Sequence, residues 1–214
     1  MKKILTLLAV CLAFGALQAE ARPVSYPGGW TFMTMNNGDK STAHLHFSPT
    51  AKYSIGYKGE WWRDDEFQLH AVQLNTLLKR WNNTDSQANV YLKTALGGAY
   101  SDRGSFDGKT EPAGFVEMAA DWEDRRYFTS YAARYTEAGD IARFFSHRGR
   151  VGIAPYIGDY GDLHTWLMLE VEHTPTNRDE VTITPLVRLF KGVNMVELGL
   201  SDKGEAMLNW IIRF

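Results

Sequence analysis

Hydrophobic and polar residues alternate along most of the chain, in stretches separated by turn-forming residues. A period of two is typical of β-strands, because successive side chains of a strand point to opposite faces. Past the amino-terminal segment, no helical periodicity of useful length stands out. The pattern predicts twelve strands, at about 30–36, 42–48, 53–62, 66–80, 88–100, 113–122, 125–137, 142–155, 162–173, 180–190, 193–201 and 205–214.

The length of the alternation indicates a membrane protein. In GEAMLNWIIRF, VNMVELGLSD and DLHTWLMLEVEH it persists for about nine or ten residues, which is what a tilted strand needs to cross lipid. Strands in lipid must form a closed barrel, because an open edge would leave backbone groups unpaired. We therefore predict an all-β fold, a closed antiparallel up-and-down transmembrane β-barrel of about twelve strands. A soluble β-sandwich is the alternative.

Aromatic residues and connection lengths agree with a barrel. Aromatic side chains recur near predicted strand ends, as in the girdles at membrane interfaces. They are Trp30, Trp61, Trp62, Trp81, Trp122, Tyr127, Tyr135, Trp210 and Phe214. If the carboxyl end is periplasmic, the connection expected to be longest, 101–112, lies outside, as is typical of bacterial outer-membrane barrels.

The last ten residues carry a family resemblance. Leu208, Trp210, Ile212 and Phe214 alternate along the tail, and Phe214 ends it. The tail resembles the carboxy-terminal signal of bacterial outer-membrane barrel proteins. The resemblance implies the cell outer membrane, surrounding lipid and the barrel-insertion machinery as partners, and an insertion signal formed by Trp210, Ile212 and Phe214. We expect a monomer; no residue role is carried over from any particular barrel family.

The amino-terminal segment predicts export. A positive MKK, an apolar stretch and the Ala19-Glu20-Ala21 cleavage site indicate a signal peptide at 1–21, followed by a single barrel domain at 22–214. A lipoprotein anchored through Cys11 is the alternative, although Val10 stands where a small residue is expected. A mature chain without cysteine excludes disulfides, thiolate metal sites and a cysteine nucleophile. The formal charge of −2 argues against a nucleic-acid partner.

Sorting each strand into an apolar face and a polar face predicts a charged lumen, because the apolar face must meet lipid. The residues expected inside are Lys58, Glu60, Lys79, Lys93, Glu117, Asp121, Arg126, Arg134, Glu170, Glu172, Arg188, Glu197 and Arg213. Both signs of charge are represented almost equally, which favours ion pairs across the barrel that close most of the lumen. A narrow polar pore is the alternative.

Methionine and histidine residues form a candidate metal site. The first hairpin and the last two strands are expected to place their thioethers and imidazoles on one part of the inner wall. These candidates are Met33, Met35, His44, His46, Met195 and Met207. Thioether and imidazole are ligands of soft copper ions, so copper is the one candidate cofactor. The alternative is that these residues only pack. We expect His70, His147 and His164 to be hydrogen-bonded residues of the lumen.

Catalytic residues are not evident. Ser146 and His147 are adjacent, so in a regular strand they point to opposite faces, and no Ser/His/acid set has convincing spacing. We therefore predict a narrow channel or a soft-metal binding and transport barrel. The alternatives are a structural or partner-binding barrel, with 101–112 as its binding surface, and an outer-membrane lipid-modifying enzyme.

Overall fold

Twelve antiparallel strands form the barrel in the computed structural model, which describes residues 23–159, 161–175 and 180–214. The strands are β1 Gly29–Asn36, β2 Lys40–Ser48, β3 Tyr53–Trp62, β4 Phe67–Asn82, β5 Ser86–Ser101, β6 Thr110–Asp124, β7 Tyr127–Ala138, β8 Ala142–Ile153, β9 His164–Thr174, β10 Glu180–Lys191, β11 Asn194–Leu200 and β12 Ala206–Arg213. A 3-10 helix at Gly104–Phe106 lies between β5 and β6. The predicted fold class and strand count are confirmed. The expected signal sequence, 1–21, lies outside the described residues.

The barrel closes between its first and last strands. Each strand pairs with its neighbours in sequence, and β12 pairs with β1 in a register that places Phe32 opposite Ile212. The Trp30 N–H donates to the Phe214 carbonyl oxygen at 2.7 Å, and the Phe214 N–H donates to the Trp30 carbonyl oxygen at 3.0 Å. The tail is thus the closing strand, and its regular alternation follows from having a lumen on one side and lipid on the other.

The lengths of the connections at the two ends of the barrel differ from the expected pattern. We call the end with Phe214 and the turns after even-numbered strands the C-terminal rim, and the other end the opposite rim. The connection after β5 spans only 102–109, whereas the one after β8 spans 154–163 and lies on the C-terminal rim. The expectation that 101–112 is the longest connection was therefore wrong, and the orientation in the membrane stays a prediction. No helix within the described ranges is long and apolar enough to span a membrane.

The outer wall presents large apolar side chains all the way around the barrel. Its most exposed members include Tyr57, Val72, Leu74, Leu96, Val116, Val151, Leu167, Val181, Leu198 and Leu208. A continuous apolar belt of this kind is stable only against lipid. Aromatic side chains mark the C-terminal rim, among them Trp30, Tyr53, Trp81, Trp122, Tyr127 and Phe214. Trp62 is the exception among the predicted girdle residues, because it points inward and is buried.

An apolar cluster fills one side of the lumen near the opposite rim. We call it the inner plug; it consists of Trp62, Phe67, Leu69, Ala71, Ala95, Ala99, Ala113, Phe115, Ala138, Ile141 and Phe144. Trp62 stacks on Phe67 with ring centroids 5.8 Å apart and meets Phe144 edge-on at 5.0 Å. Burying a large side chain of this kind stabilises by about 1.5–3 kcal/mol, so the plug is a packed core. It leaves a polar path beside it, which residues of all twelve strands line.

Candidate functional site: the lumen

Two adjoining cavities follow the polar side of the lumen. The central cavity has a volume of about 210 Å³ and reaches from the β1–β2 turn toward the middle of the barrel. The vestibule, of about 990 Å³, opens among the turns of the C-terminal rim. Lys93, Arg148, Arg150 and Arg188 line both volumes. The two cavities therefore adjoin where these four basic side chains lie, together with Pro23, Met35, Ala132 and Met195.

Most of the charged residues expected inside do line these cavities or face inward. Those lining a cavity are Lys58, Glu60, Lys93, Glu117, Asp121, Arg134, Glu170, Glu172, Arg188 and Glu197. Arg213 is buried on the inner face of β12, in register with Thr31 of β1.

Lys79 lies on the outer wall instead, because a β-bulge breaks the register of β4 and β5. The pairing shifts between Leu77 and Lys79, so that Lys79 pairs with Val90 and lies 5.8 Å from the Trp81 ring centroid. An extra residue in a strand moves every following side chain to the other face. Arg80 takes the inward position, and its Nε donates to Asn89 Oδ1 at 2.7 Å.

Arg126 is also outside the lumen. It belongs to the two-residue turn between β6 and β7, where its side chain is exposed. Its N–H donates to Asp124 Oδ1 at 2.6 Å, which is a turn contact. The predicted strand begins at 125, two residues before β7, and this early start places the turn residue on the inner face.

Three basic residues that line the central cavity were not predicted from the sequence to lie inside the barrel. Lys40 begins β2 two residues before its predicted start. Arg148 and Arg150 lie on β8, where Phe144 and Phe145 stand on opposite faces and obscure the alternation. The signal that could have identified them is alternation: Arg148 and Arg150 occupy one face of the strand, and the apolar Val151 and Ile153 occupy the other, exposed face.

Ion pairs connect strands that are far apart around the barrel. Arg134 on β7 donates to both carboxylate oxygens of Glu60 on β3, at 2.7 and 2.8 Å. The guanidinium carbon of Arg134 lies 3.7 Å from the Phe115 ring centroid, at the edge of the inner plug. Lys58 Nζ lies 3.7 Å from Glu60 Oε1 on the other side. This pair therefore forms the boundary between the inner plug and the polar path.

A second network surrounds Arg150. Its guanidinium contacts Glu170 on the adjacent β9 and reaches Glu197 on β11, with Nη1 donating to Oε1 at 2.8 Å. Arg188 Nε donates to the same oxygen of Glu197 at 2.7 Å, and Asn209 Nδ2 donates to its other oxygen at 2.8 Å. Every oxygen of Glu197 is thus satisfied, which is the condition under which a buried charge is tolerated.

The charges around the central cavity are biased toward the basic sign. Seven basic side chains line it, Lys40, Lys58, Lys93, Arg134, Arg148, Arg150 and Arg188, against five acidic ones, Glu60, Glu117, Glu170, Glu172 and Glu197. Among the described residues, Arg148 forms no ion pair within 4 Å, although Glu117, Glu170 and Glu172 act on it at longer range. This count covers the central cavity alone and includes Lys40, Arg148 and Arg150, which the sequence analysis did not place inside the barrel.

At the opposite rim, Glu172 holds the first hairpin across the mouth. Lys40 Nζ donates to Glu172 Oε1 at 2.9 Å, and Asn37 Nδ2 donates to its Oε2 at 3.2 Å. Burial raises the pKa of the nearby Asp39 carboxyl above its usual range, and the Glu172 carboxylate raises it further. Acidic side chains therefore crowd this entrance, in contrast to the basic centre.

The methionine and histidine candidates come together on the inner wall. Met33 lies directly opposite His44 in the β1–β2 pairing, and the rings of His44 and His46 have centroids 4.5 Å apart. Met33, Met35, His44, Met195 and Met207 all line the central cavity. Nε2 of His44 and both ring nitrogens of His46 are buried and have no hydrogen-bond partner within the described part of the chain.

The surroundings of this cluster also favour packing. Lys58 pairs with His44 across β2 and β3, and Arg213 and His46 are both opposite Thr31. Met207 packs with Met168 and Leu186. Within the described ranges, no group of three or more histidine, cysteine or acidic residues could hold a metal ion. Any metal at this site would depend on the thioethers.

Two of the remaining histidines contact tyrosine hydroxyls. His70 Nδ1 lies 2.6 Å from the Tyr57 hydroxyl on the exposed outer face, and His147 Nδ1 lies 2.5 Å from the Tyr131 hydroxyl. The prediction that His70 faces the lumen was wrong, whereas His147 borders the central cavity and His164 lines the vestibule. Because Ser146 is buried on the inner face while the His147 ring contacts Tyr131, the two do not form a catalytic pair.

The sequence matches no protein-family model and no curated protein. Among solved structures, the barrel is similar to the KdgM porin, with a TM-score of 0.51, 9% identity, and coverage of 87% of this chain and 98% of that chain. The KdgM porin in complex with disordered oligogalacturonate gives a TM-score of 0.49, 10% identity and the same coverage. OccK8 (OprE) of Pseudomonas aeruginosa gives 0.44, 9% identity, and coverage of 85% and 62%.

The first of these likenesses concerns the fold. At 9% identity it shows that this chain has the twelve-strand architecture of a porin barrel, and it does not identify a solute. The apolar outer wall and the closed strand pairing are independent of the comparison and require lipid. Together, the fold and its lipid-facing wall identify this chain as a transmembrane β-barrel with the fold of an outer-membrane porin.

Proposed function

We propose that this barrel is a narrow channel for small anionic solutes. The observation that supports the proposal best is the basic junction between the two cavities, where Lys93, Arg148, Arg150 and Arg188 line both volumes. Side chains of one sign at a constriction select ions of the other sign. Arg148 adds to this preference directly, because no carboxylate of the described chain neutralises it within 4 Å.

The size of the path limits the solute. The central cavity, of about 210 Å³, is smaller than the roughly 300–1,000 Å³ of typical drug-sized sites. The inner plug and the Arg134–Glu60 pair occupy the rest of the cross-section at this level. A small organic anion or an inorganic anion is therefore the class of solute that fits, and a large oligomeric solute is not.

The basic centre also lies between acidic groups at both ends. Glu172 and Asp39 lie at the opposite rim, and Asp121, Asp159 and Asp162 border the vestibule. This arrangement confines anion selection to the middle of the barrel, where the surrounding protein screens charge less than bulk water does.

The test is the conductance of the purified full chain in planar lipid bilayers. Under a potassium chloride gradient, we expect discrete openings and a reversal potential of the sign that indicates chloride preference. Liposome swelling should admit small monocarboxylates and exclude large saccharides. Absence of openings, or a potential of the sign for potassium preference, would contradict the proposal.

A second candidate function is the binding of a soft metal such as Cu(I). It is favoured by the three unpartnered imidazole nitrogens of His44 and His46 beside the thioether of Met33. Met35, Met195 and Met207 line the same cavity and supply further thioethers. Copper would be the ligand carried or held, and Lys58 and Arg213 oppose its charge.

This second candidate has a matched control in the same chain. We expect the His44→Ala/His46→Ala variant to bind Cu(I) at least about tenfold more weakly than the parent in a competition with a chromophoric chelator, because a lost ligand costs 1.4 kcal/mol or more. The His70→Ala variant removes a histidine from the outer wall and should bind like the parent. Equal binding by all three proteins would exclude the metal site.

A further inference from the structure

The chain before β1 turns back into the barrel. The Gly29 N–H donates to the Tyr26 carbonyl oxygen at 3.1 Å, and the Gly28 N–H donates to the Ser48 carbonyl oxygen at 2.8 Å. Gly28 has a φ of 84°, which glycine adopts at little cost. This turn directs Pro23–Ser25 along the inner wall of the barrel, and we call these three residues the inner segment.

The inner segment is held by buried polar side chains. The Pro23 carbonyl oxygen accepts hydrogen bonds from Ser54 Oγ at 2.8 Å and from Asn75 Nδ2 at 3.3 Å. The Ser25 N–H donates to Ser48 Oγ at 3.0 Å. Ser48, Ser54 and Asn75 have no solvent exposure, and Val24 is 3% exposed. Segments without such partners fray, so these contacts hold a piece of chain that would otherwise leave the wall.

The anchoring side chains are themselves organised for this contact. Asn75 Nδ2 also donates to Ser54 Oγ at 2.8 Å, and Asn75 Oδ1 accepts from Gln73 Nε2 at 2.6 Å. The Asn75 amide nitrogen thus donates to both Pro23 and Ser54, and the Asn75 amide oxygen accepts from Gln73. Without the inner segment, the Pro23 acceptor would be missing from a buried network on β3 and β4.

Pro23 lies where the two cavities meet. It lines both the central cavity and the vestibule, as do Lys93 and Arg148. From this placement we infer that the inner segment forms one side of the narrowest part of the channel and sets the size of the solutes that pass. The inference rests on the proposed channel function, and it makes Ser54 and Asn75 the residues that position this side of the constriction.

The test loosens the inner segment by removing the two side chains that bind the Pro23 carbonyl oxygen. We expect Ser54→Ala/Asn75→Ala to raise the unitary conductance and to admit larger neutral solutes in liposome swelling. Asn89→Ala is the matched control, because Asn89 is a buried asparagine of the adjacent β5 whose partners are Arg80, Gln87 and Asp121. Its conductance and size limit should equal those of the parent.

A thiol probe reports the position of the inner segment separately from conductance. Val24→Cys introduces a cysteine into a described chain that has none, since Cys11 is the sole cysteine of the sequence. Labelling by a water-soluble maleimide should be about tenfold faster with Ser54→Ala/Asn75→Ala than in the Val24→Cys protein alone, because two hydrogen bonds are lost. Adding Asn89→Ala instead should leave the rate unchanged. Heat-modifiable gel mobility would verify that each variant is folded.

The outcomes separate this inference from the channel proposal. If the parent conducts and Ser54→Ala/Asn75→Ala conducts identically, the inference is wrong while the channel stands, even where labelling becomes faster. If the parent and all variants are silent, the channel proposal fails and takes the inference with it. A parent with small openings and an Ser54→Ala/Asn75→Ala variant with larger ones would support both.

Discussion

Replacing Glu60 by glutamine is expected to lower the free energy of unfolding of the barrel by about 3 kcal/mol, since a buried ion that loses its partner keeps its desolvation cost. Glu60 accepts both hydrogen bonds of the Arg134 fork and one from Trp62 Nε1 at 3.2 Å. Glutamine is nearly the same size, so the inner plug keeps its shape while Arg134 loses its counter-charge. Urea unfolding in detergent micelles, followed by gel mobility, measures the difference.

A pair at the opposite rim provides the control for Glu60. Arg143 Nε donates to Glu137 Oε2 at 2.7 Å, but both side chains are substantially exposed. Glu137→Gln should therefore change the unfolding free energy by less than about 1 kcal/mol. The double variant Glu60→Leu/Arg134→Met removes both charges and should recover much of the loss. If Glu60→Gln were no less stable than Glu137→Gln, the Arg134–Glu60 pair would not be a buried structural contact.

Replacing Arg148 by glutamate is expected to abolish the chloride preference of the channel. The substitution changes the lining of the central cavity from seven basic and five acidic side chains to six of each. Because selectivity follows the charge at the constriction, the reversal potential in a potassium chloride gradient should move to zero or change sign. Single-channel recording in planar bilayers is the measurement.

Arg143→Glu makes the same charge change at an exposed position at the start of β8, on the opposite rim. It should leave the reversal potential as in the parent, because a solvent-exposed charge is screened within about 10 Å at moderate salt. Equal reversal potentials for Arg148→Glu and the parent would show that Arg148 does not face the conducting path.

The distribution of charge assigns the stability of the barrel and its proposed selectivity to different side chains of the lumen. Glu60, Arg134, Arg150 and Glu197 are engaged in short hydrogen bonds across the barrel and act mainly on its stability. Arg148 lines both cavities without an ion pair to another described residue, so under the proposed function its charge acts on the solute. One set of side chains thus closes most of the barrel, and another is the source of the anion preference that we propose for the remaining path.

The alternation of apolar and polar side chains along each strand determined which residues of the barrel wall face lipid and which face inward. In β12, Leu208, Trp210 and Ile212 face lipid while Met207 and Asn209 face inward, as the period of two requires. The same rule predicted the closing of β12 on β1 and the meeting of Met33 with His44, since neighbouring strands of a closed barrel have a defined register. These features depend only on local periodicity and on the need to pair every edge in lipid.

Tertiary structure decided which polar side chains meet in the lumen and how much space is left between them. Periodicity could not reveal the bulge that turns Lys79 outward and Arg80 inward, because one extra residue leaves the composition of the strand unchanged. It also assigned every apolar face to lipid, whereas Trp62, Phe67 and Leu69 pack inside and displace the path to one side. The contacts of Arg134 with Glu60, and of Pro23 with Asn75, join residues far apart in sequence, so only the closed barrel brings them together.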